Sequence, residues 1–270
     1  MKLNRISANV LTMNRLTILG SGTSTGVPIM LCSCKVCKSK DPKNKRLRAS
    51  IFVETQGKSF LIDTSTDLRQ QTLRFKIKKV DAVLYTHPHA DHISGIDELR
   101  AFNFMQKSRM PAYVHSWTAA ELPIRYPYIF KPEKIVGGGI PLIDLKMLNE
   151  ADPYWDVLGV RVIPVSVQHG SKIVVGYRFG TMAYITDCNF IPETSLDRLK
   201  NLDVLVLDCV KIGSHDTHFN LEKALDVVSK LKPKKTYLTH LGHDFDFKTW
   251  QKKLPKNVGL AYDGLQLKWR

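Results

Sequence analysis

The chain has 270 residues, of which 43% are hydrophobic and 24% are charged, so it can bury a core and is not a disordered tail. Its 40 Lys and Arg outnumber its 25 Asp and Glu, which gives a formal net charge of +15. A balance this basic fits an anionic partner, but it also fits a role in solubility alone.

The N-terminal segment carries basic side chains but lacks the apolar stretch and cleavage site of a secretory signal. Lys, Arg, Asp or Gly interrupts every apolar run before it reaches the roughly 18 residues of a membrane span. We therefore expect a cytoplasmic protein with no membrane partner. Residues 1–12 are interpreted as an N-terminal tail, with Met13 as an alternative start, and residues 13–270 as one domain.

Along the chain, short apolar or β-branched runs end abruptly at glycine or at polar residues that can bind metals. These runs predict strands at 16–19, 59–62, 80–86, 160–167, 182–186, 204–207 and 236–239. Helical spacing predicts helices at 97–106, 192–200 and 221–231. Strands that alternate with helices indicate an α/β fold, and the glycines at 137–139 mark a flexible loop.

A glycine-rich segment follows the first predicted strand and contains Gly22-x-Ser24-x-Gly26, the pattern of a serine-hydrolase nucleophile. That nucleophile stands on a turn that opens into a helix, but Pro28 and a cysteine-rich loop follow here. We therefore expect a backbone turn beside a metal site and not a serine nucleophile.

Three cysteines, Cys32, Cys34 and Cys37, lie within six residues on the next loop. In a cytoplasmic protein such a cluster indicates a metal site or redox thiols rather than disulfides. The third thiol favours a structural Zn²⁺ over a redox pair. Zinc takes four ligands, and the spacing leaves the fourth open among several residues: Cys188, Cys209, His115, His215 and His243.

Two basic runs, at 35–48 and 74–79, flank the second predicted strand. RNA-binding patches have this composition, and so do solvated faces, which are the commoner case. The sequence alone leaves their role open.

The densest motif, His87-x-His89-x-Asp91-His92, directly follows the predicted strand at 80–86. Imidazole and carboxylate groups bind Zn²⁺ or Mn²⁺ without soft thiolates, so four of them in six residues indicate a metal site. Three other predicted strand ends supply further ligands of the same kind: His169, Asp187 and His240. A carboxylate between two ions can bridge them, which makes Asp187 the natural shared ligand of a dinuclear centre.

This His-x-His-x-Asp-His motif, followed by His, Asp and His at strand ends, resembles the metallo-β-lactamase superfamily from about Leu16 to the C-terminus. The resemblance implies that residues 13–270 form a hydrolase domain with an αββα four-layer sandwich. It assigns the ligands of metal one as His87, His89, His169 and Asp187. It assigns the ligands of metal two as Asp91, His92, Asp187 and His240.

Within that superfamily, the chain resembles the PhnP-type cyclic phosphodiesterases at residues 20–28, in the zinc-binding loop at 32–37 and at 239–243. This resemblance implies that His243 is the fourth zinc ligand. It implies a catalytic role for His218 and, besides its ligand role, for Asp91. It also places Asp63 behind the histidines, where its carboxylate would orient a ligand imidazole. His115 and His215 have no counterpart and are interpreted as structural.

The function implied is a metal-dependent phosphodiesterase in which a hydroxide bridging the metals attacks a small cyclic or activated phosphodiester. Sequence does not choose between Mn²⁺ and Zn²⁺ for the two catalytic ions, since His and carboxylate ligands suit either. The expected partner is a small anionic phosphodiester, with RNA less favoured. The oligomeric state stays open, a homodimer included.

Three alternatives remain within the superfamily. The tRNA 3′-end endonucleases share the metal motifs, but they carry a longer substrate arm and lack the cysteine cluster. The PqqB-like proteins share similar cysteines, but the full ligand set is present here. Hydrolysis of another ester or a thioester is the third alternative.

Overall fold

The computed structural model describes residues 14–132 and 139–270. The predicted N-terminal tail lies outside these residues, and so do Gly137 and Gly138 of the predicted glycine loop. Among the described residues, no helix combines the length and the apolar character needed to cross a bilayer.

Two seven-stranded sheets form the centre of the fold. The first sheet contains β1 Asn14–Gly20, β2 Ser50–Thr55, β3 Lys58–Ile62, β4 Ala82–Leu84, β5 Met110–Val114 and β6 Ile143–Met147. The second contains β7 Trp155–Val157, β8 Val160–His169, β9 Lys172–Phe179, β10 Met182–Ile185, β11 Val204–Asp208, β12 Lys235–Thr239 and β13 Val258–Leu260. The last strand, β14 Gln266–Trp269, returns to the first sheet, whose order is β14-β1-β2-β3-β4-β5-β6. The second sheet follows chain order in reverse, from β13 to β7.

Helices cover the outer face of each sheet. They are α1 Leu68–Phe75, α2 Ala90–Ile93, α3 Leu99–Gln106, α4 Ser116–Arg125, α5 Pro127–Phe130, α6 Glu193–Arg198, α7 Leu221–Leu231 and α8 Phe247–Gln251. Helices α1 to α5 pack on the first sheet through residues such as Leu68, Leu99 and Leu122. Helices α6 to α8 pack on the second sheet through residues such as Ala224 and Val228.

The strands alternate their side chains between two buried layers, as period-2 geometry requires. Leu16 and Ile18 of β1 face the other sheet and pack with Tyr177 and Tyr184 in the core between the sheets. Leu19 of β1 belongs instead to the layer beneath the outer helices. Four layers in the order helix, sheet, sheet, helix result, and this confirms the predicted αββα sandwich.

The topology also gathers the strand ends at one edge. Strands β3, β4 and β5 run parallel in the first sheet, and β10, β11 and β12 run parallel in the second. Parallel strands end at the same edge, and in α/β folds ligands bind outside the carboxyl ends of the strands. The residues that follow these strands therefore meet between the two sheets.

Candidate metal centre

The metal-binding side chains stand where strands stop. His169 ends β8, Asp187 follows β10 by two residues, and His240 directly follows β12. His87 follows β4, and the chain then turns into the short helix α2, where His89 is the N-terminal cap. Asp91 and His92 lie in that helix, so one turn of chain supplies ligands to both halves of the centre.

Two sets of ligand atoms converge. His87, His89 and His169 offer three ring nitrogens within 4.8 Å of one another, and we call this set the first metal position. The second metal position is a set with the same spacing, made by Asp91, His92, Asp187 and His240. The structure therefore brings together all seven residues that the sequence predicted as catalytic metal ligands.

Asp187 lies between the two positions. One carboxylate oxygen, Oδ1, is 3.7 Å from His87 Nε2 and 3.4 Å from His240 Nε2. The other oxygen, Oδ2, is 3.2 Å from His92 Nε2. Burial alone would raise the pKa of Asp187, but the neighbouring histidines, His240 first, outweigh it and hold that pKa well below its usual range. The carboxylate is thus ionised and within reach of both positions.

The second position contains buried polar atoms without partners. Asp91 Oδ2, His92 Nε2 and both ring nitrogens of His240 are buried and make no hydrogen bond to the described residues. A buried polar atom without a partner costs about 1–3 kcal/mol, so several at one point indicate a group that satisfies them together. Imidazole and carboxylate donors converging in this way fit a divalent cation.

Hydrogen bonds to residues outside the ligand set fix the orientation of two of the histidines. His92 Nδ1 donates to the fully buried carboxylate of Asp63 at 2.7 Å, which leaves Nε2 directed at Asp187. His169 Nδ1 donates to the Thr217 carbonyl at 2.7 Å, which leaves its Nε2 for the first metal position. Partners of this kind hold the tautomer and the ring plane of metal-binding histidines. Asp63 thus contacts the imidazole of His92, and its supporting role remains a prediction.

The backbone is strained at three of these residues. Asp63, Asp187 and His240 have φ values of +65°, +55° and +59°, a region that residues other than glycine seldom adopt. Such strain persists only where the surroundings hold it, and it concentrates at functional sites. All three lie immediately beyond strand ends, where the chain must turn sharply to present its side chain.

A third cluster forms where the cysteine loop, 32–37, contacts the loop that follows β12. His243 Nδ1 lies 3.3 Å from Cys32 Sγ and 3.6 Å from both Cys34 Sγ and Cys37 Sγ. Tetrahedral zinc with ordinary Zn–S and Zn–N bond lengths separates S and N ligands by about 3.5 Å. The spacing therefore fits one Zn²⁺. A backbone N–H of Cys37 lowers the pKa of Cys34 to about 6, which makes that thiol a ready thiolate ligand.

A family model described as the Beta-lactamase superfamily domain matches residues 58–241, which is more than half of the chain. The chain belongs to the beta-lactamase superfamily. Its sheets, strand ends and ligand motif are those of a metal-dependent hydrolase with the metallo-β-lactamase fold. The resemblance predicted from the sequence is thereby confirmed.

Proteins of this superfamily that are similar to the chain are named for different activities. A crystal structure of a diphosphatase from the PhnP family is 40% identical, with a TM-score of 0.88, covering 95% of this chain and 97% of that one. An octanoyltransferase of Porphyromonas gingivalis is 34% identical over 93% of this chain, which spans 51% of that relative's length. A ribonuclease Z of Clostridium kluyveri is 29% identical over 50% of this chain and 44% of its own. The chain thus spans about half the length of these two curated relatives.

His218, predicted to be catalytic, lies beside the metal ligands. Its ring stacks on that of His240 at 4.8 Å between centroids, and its Nε2 is 3.9 Å from Asp187 Oδ1. With His169 and Asp187 it forms a further set of converging ligand atoms. The ring of His215 lies edge-on to the ring of His218, with their centroids 5.0 Å apart. His115 lies instead at the N-terminal cap of α4, where its Nε2 hydrogen-bonds with Thr118 Oγ1 at 3.0 Å.

Asp208 was not predicted as a site residue, although it ends a predicted strand. Its fully buried carboxylate accepts from His218 Nδ1 at 3.2 Å and from the backbone N–H groups of Cys188 and Phe219. It also faces His240 Nδ1 at 3.6 Å. Burial opposes a charge on His218, but Asp208 outweighs it and raises the pKa of His218 to about 9. Asp208 therefore orients this imidazole and favours its protonated form.

Trp117 was also missed, because nothing in the sequence connects α4 to the ligand motif. Its half-buried ring lies 5.6 Å from the ring of His89 and 6.3 Å from that of His87. The ammonium of Lys172, the first residue of β9, lies 5.3 Å above the same ring. An aromatic face and a cation thus stand together beside the first metal position.

The predicted turn at Gly22 packs against the metal centre. Gly22 forms a backbone bridge with Leu241, the residue after His240, and Leu241 N–H donates to the Ser21 carbonyl. Ser24 is exposed and is not followed by a helix. The segment supports the loop that carries His240, as expected for a turn rather than a nucleophile elbow.

Proposed function

We propose that this chain is a dinuclear metal-dependent phosphodiesterase that hydrolyses small cyclic or activated phosphodiesters, including diphosphate esters. The observation that carries the proposal is the convergence of all seven predicted ligand residues, with an ionised Asp187 within reach of both sets. The 40% identity with a diphosphatase of the PhnP family supports chemistry at phosphorus. The net charge of +15 suits an anionic substrate.

In this proposal, His87, His89, His169 and Asp187 hold one ion, and Asp91, His92, Asp187 and His240 hold the other. The catalytic ions are Mn²⁺ or Zn²⁺, and one Zn²⁺ occupies the cysteine site. When bound, a pair of divalent ions supplies an activated water and neutralises charge that develops on phosphoryl oxygens.

The remaining steps fall to side chains of the chain itself. His218, protonated and fixed by Asp208, faces the centre and gives its proton to the leaving oxygen, a role that general acids of this kind commonly fill. Trp117 stacks against the base or ring of the substrate, and Lys172 attracts its negative charge. The non-ligand oxygen of Asp91 orients the attacking water.

Replacing Asp208 with asparagine tests the proposed role of His218 as proton donor. The Asp208→Asn side chain keeps its size but loses the charge that orients and protonates His218. We expect kcat to fall by roughly 10- to 100-fold with little change in KM, as for other partners that act through a neighbour. Steady-state kinetics on bis(p-nitrophenyl) phosphate, with metal content measured in parallel, would show this. Partial recovery in Asp208→Glu is expected, whereas an unchanged kcat at full metal load contradicts the role of Asp208.

Replacing Trp117 with leucine tests the substrate platform. Stacking of a base on an aromatic ring contributes about 1–3 kcal/mol, so KM for a base-bearing diester should rise roughly 5- to 100-fold in Trp117→Leu. For a substrate without a ring, KM should hardly change. Tyr154→Leu, which alters an exposed aromatic that contacts Arg161, is the matched control. Equal effects on both substrates would speak against stacking.

The activity itself is tested by one panel with purified protein of known metal content. It contains bis(p-nitrophenyl) phosphate, a ribose cyclic phosphate, a dinucleoside diphosphate, precursor tRNA and an octanoyl thioester. Fast turnover of a small phosphorus ester that is lost in His89→Ala supports the proposal. Preference for precursor tRNA would favour an RNA-processing hydrolase. Preference for the thioester would favour a reaction on acyl groups, as in the name of the Porphyromonas relative, an octanoyltransferase.

A further inference from the structure

Four of the seven cations in the first basic run, 35–48, are committed to internal contacts. Arg46 is buried, and its guanidinium donates to the carbonyls of Gly242 and Phe245. Lys45 donates to a backbone carbonyl of the cysteine loop, and Arg48 pairs with Asp67 at 3.1 Å. Lys43 stacks over two aromatic rings. These cations build the zinc site and its surroundings, so they are not a free anion-binding patch.

The second basic run, 74–79, has a different environment. It lines a cavity of about 550 Å³ between the C-terminal end of α1 and the outer face of β1 to β3. We call this cavity the distal pocket, and its main lining residues are Arg15, Phe52, Lys58, Phe75, Lys76 and Lys78. Alternate residues of β1 and β2 form its floor.

The distal pocket is separate from the metal centre. Lys58 begins β3, whereas Asp63, which supports the metal ligands, follows the other end of that strand. Five residues of strand span about 17 Å. A ligand in the distal pocket therefore lies at the opposite edge of the first sheet from the catalytic ligands.

The charges in the distal pocket do not balance. Arg15 pairs with Glu54 at 2.6 Å and Lys79 with Asp81 at 2.8 Å, which neutralises two of its cations. Within the described parts of the chain, Lys58, Lys76 and Lys78 have no carboxylate within 4.0 Å, so three positive charges remain. Such a cluster raises the local concentration of anions.

The same pocket has an apolar, partly aromatic wall. Phe75 and Ile77 are half-buried beside the lysines, and Phe52 and Leu19 lie at its base. A volume of about 550 Å³ falls within the usual range for a site that encloses one small organic ligand. Three cations beside an aromatic wall match a ligand that has both a phosphate and a planar ring.

We propose that the distal pocket binds a mononucleotide, with its phosphate among Lys58, Lys76 and Lys78 and its base against Phe75. The phosphate gains charge-assisted hydrogen bonds from the ammonium groups. The base covers apolar surface that is otherwise exposed to water. This binding is independent of the proposed hydrolysis, since none of the residues involved is a metal ligand.

The test is calorimetric titration of the full chain with AMP, a phosphomonoester that the proposed diesterase reaction does not consume. The double variant Lys76→Gln/Lys78→Gln should weaken AMP binding roughly tenfold or more, because it removes two of the three phosphate contacts. The matched control, Lys223→Gln/Lys230→Gln, removes two exposed lysines of α7 and should leave the affinity unchanged. His89→Ala should also bind AMP normally, which separates the distal pocket from the metal centre.

Separate titrations with inorganic phosphate and with adenosine identify what is recognised. Each should bind at least about tenfold more weakly than AMP, because each offers only half of the complementary chemistry. No AMP binding, an unaltered affinity in the lysine double variant, or loss of binding in His89→Ala overturns the proposal. Phosphate binding as tight as AMP, or much tighter binding of a single-stranded oligoribonucleotide, overturns the mononucleotide assignment.

Discussion

Asp187→Asn is expected to lower kcat/KM by more than 100-fold and to release both catalytic ions. Among the residues that the structure describes, Asp187 is the one carboxylate within reach of ligands from both metal positions, at 3.7 Å from His87 and 3.2 Å from His92. Its negative charge also balances the imidazoles that are buried around it. Loss of a supporting partner alone costs about 10- to 100-fold in metal affinity or activity, so loss of a bridging ligand must exceed that range.

Metal analysis of the purified variant, combined with diesterase kinetics, measures this effect. The structural zinc should remain, because Asp187 does not contact the cysteine cluster, so metal content should fall from three ions per chain toward one. Asp197→Asn is the control, since Asp197 is two-thirds exposed and pairs only with Lys200. Two catalytic ions retained in Asp187→Asn would refute the shared-ligand assignment.

Cys34→Ser is expected to release the structural zinc and also to weaken ion binding at the second metal position by roughly 10- to 100-fold. His240 and His243 lie three residues apart on one loop, and the zinc ligands hold one end of that loop. Without zinc, the loop keeps the Arg46 contacts to Gly242 and Phe245, but His243 loses its anchor. His240, already strained at φ +59°, then loses part of the support for its orientation.

Ion binding is measured by titrating Mn²⁺ or Zn²⁺ into the variant and following activity, and stability by thermal unfolding. We expect the melting temperature to fall by roughly 10 °C, because the ion cross-links distant segments. Cys209→Ala, which shortens a buried cysteine outside the zinc cluster, is the control. Unchanged affinity at the second position, despite loss of zinc, would show that the two sites act independently.

Sequence patterns were enough to predict the features that depend on residues close together in the chain. Strand ends are visible as apolar runs that stop at a polar residue, and His87, His169, Asp187 and His240 all stand at such ends. Helix α7 agrees with the predicted bounds because its apolar spacing is regular and Asn220 caps it. These features depend on neighbours in the chain, which is why periodicity and composition identify them.

Features that depend on tertiary contact could not be predicted in this way. Strand β9 was missed because Gly176 interrupts its pattern, yet a Cβ there would lie 2.3 Å from the Ile185 side chain of β10. Arg46 looked like one more cation of a basic run, but the fold buries it. Asp208 and Trp117 gain their roles only because other segments of the chain bring His218 and His89 against them.

The cysteine cluster also bears on how the chain is assembled during synthesis. Cys32 precedes His243 by 211 residues, so the two halves of the proposed zinc site coexist only after that whole stretch has been synthesised. At about 5–20 residues per second, the three thiols wait about 10–40 s for their partner. Until then they are open to oxidation or to capture of an ion in an incomplete site. At the proposed site, zinc can therefore bind only after most strands of both sheets have been synthesised.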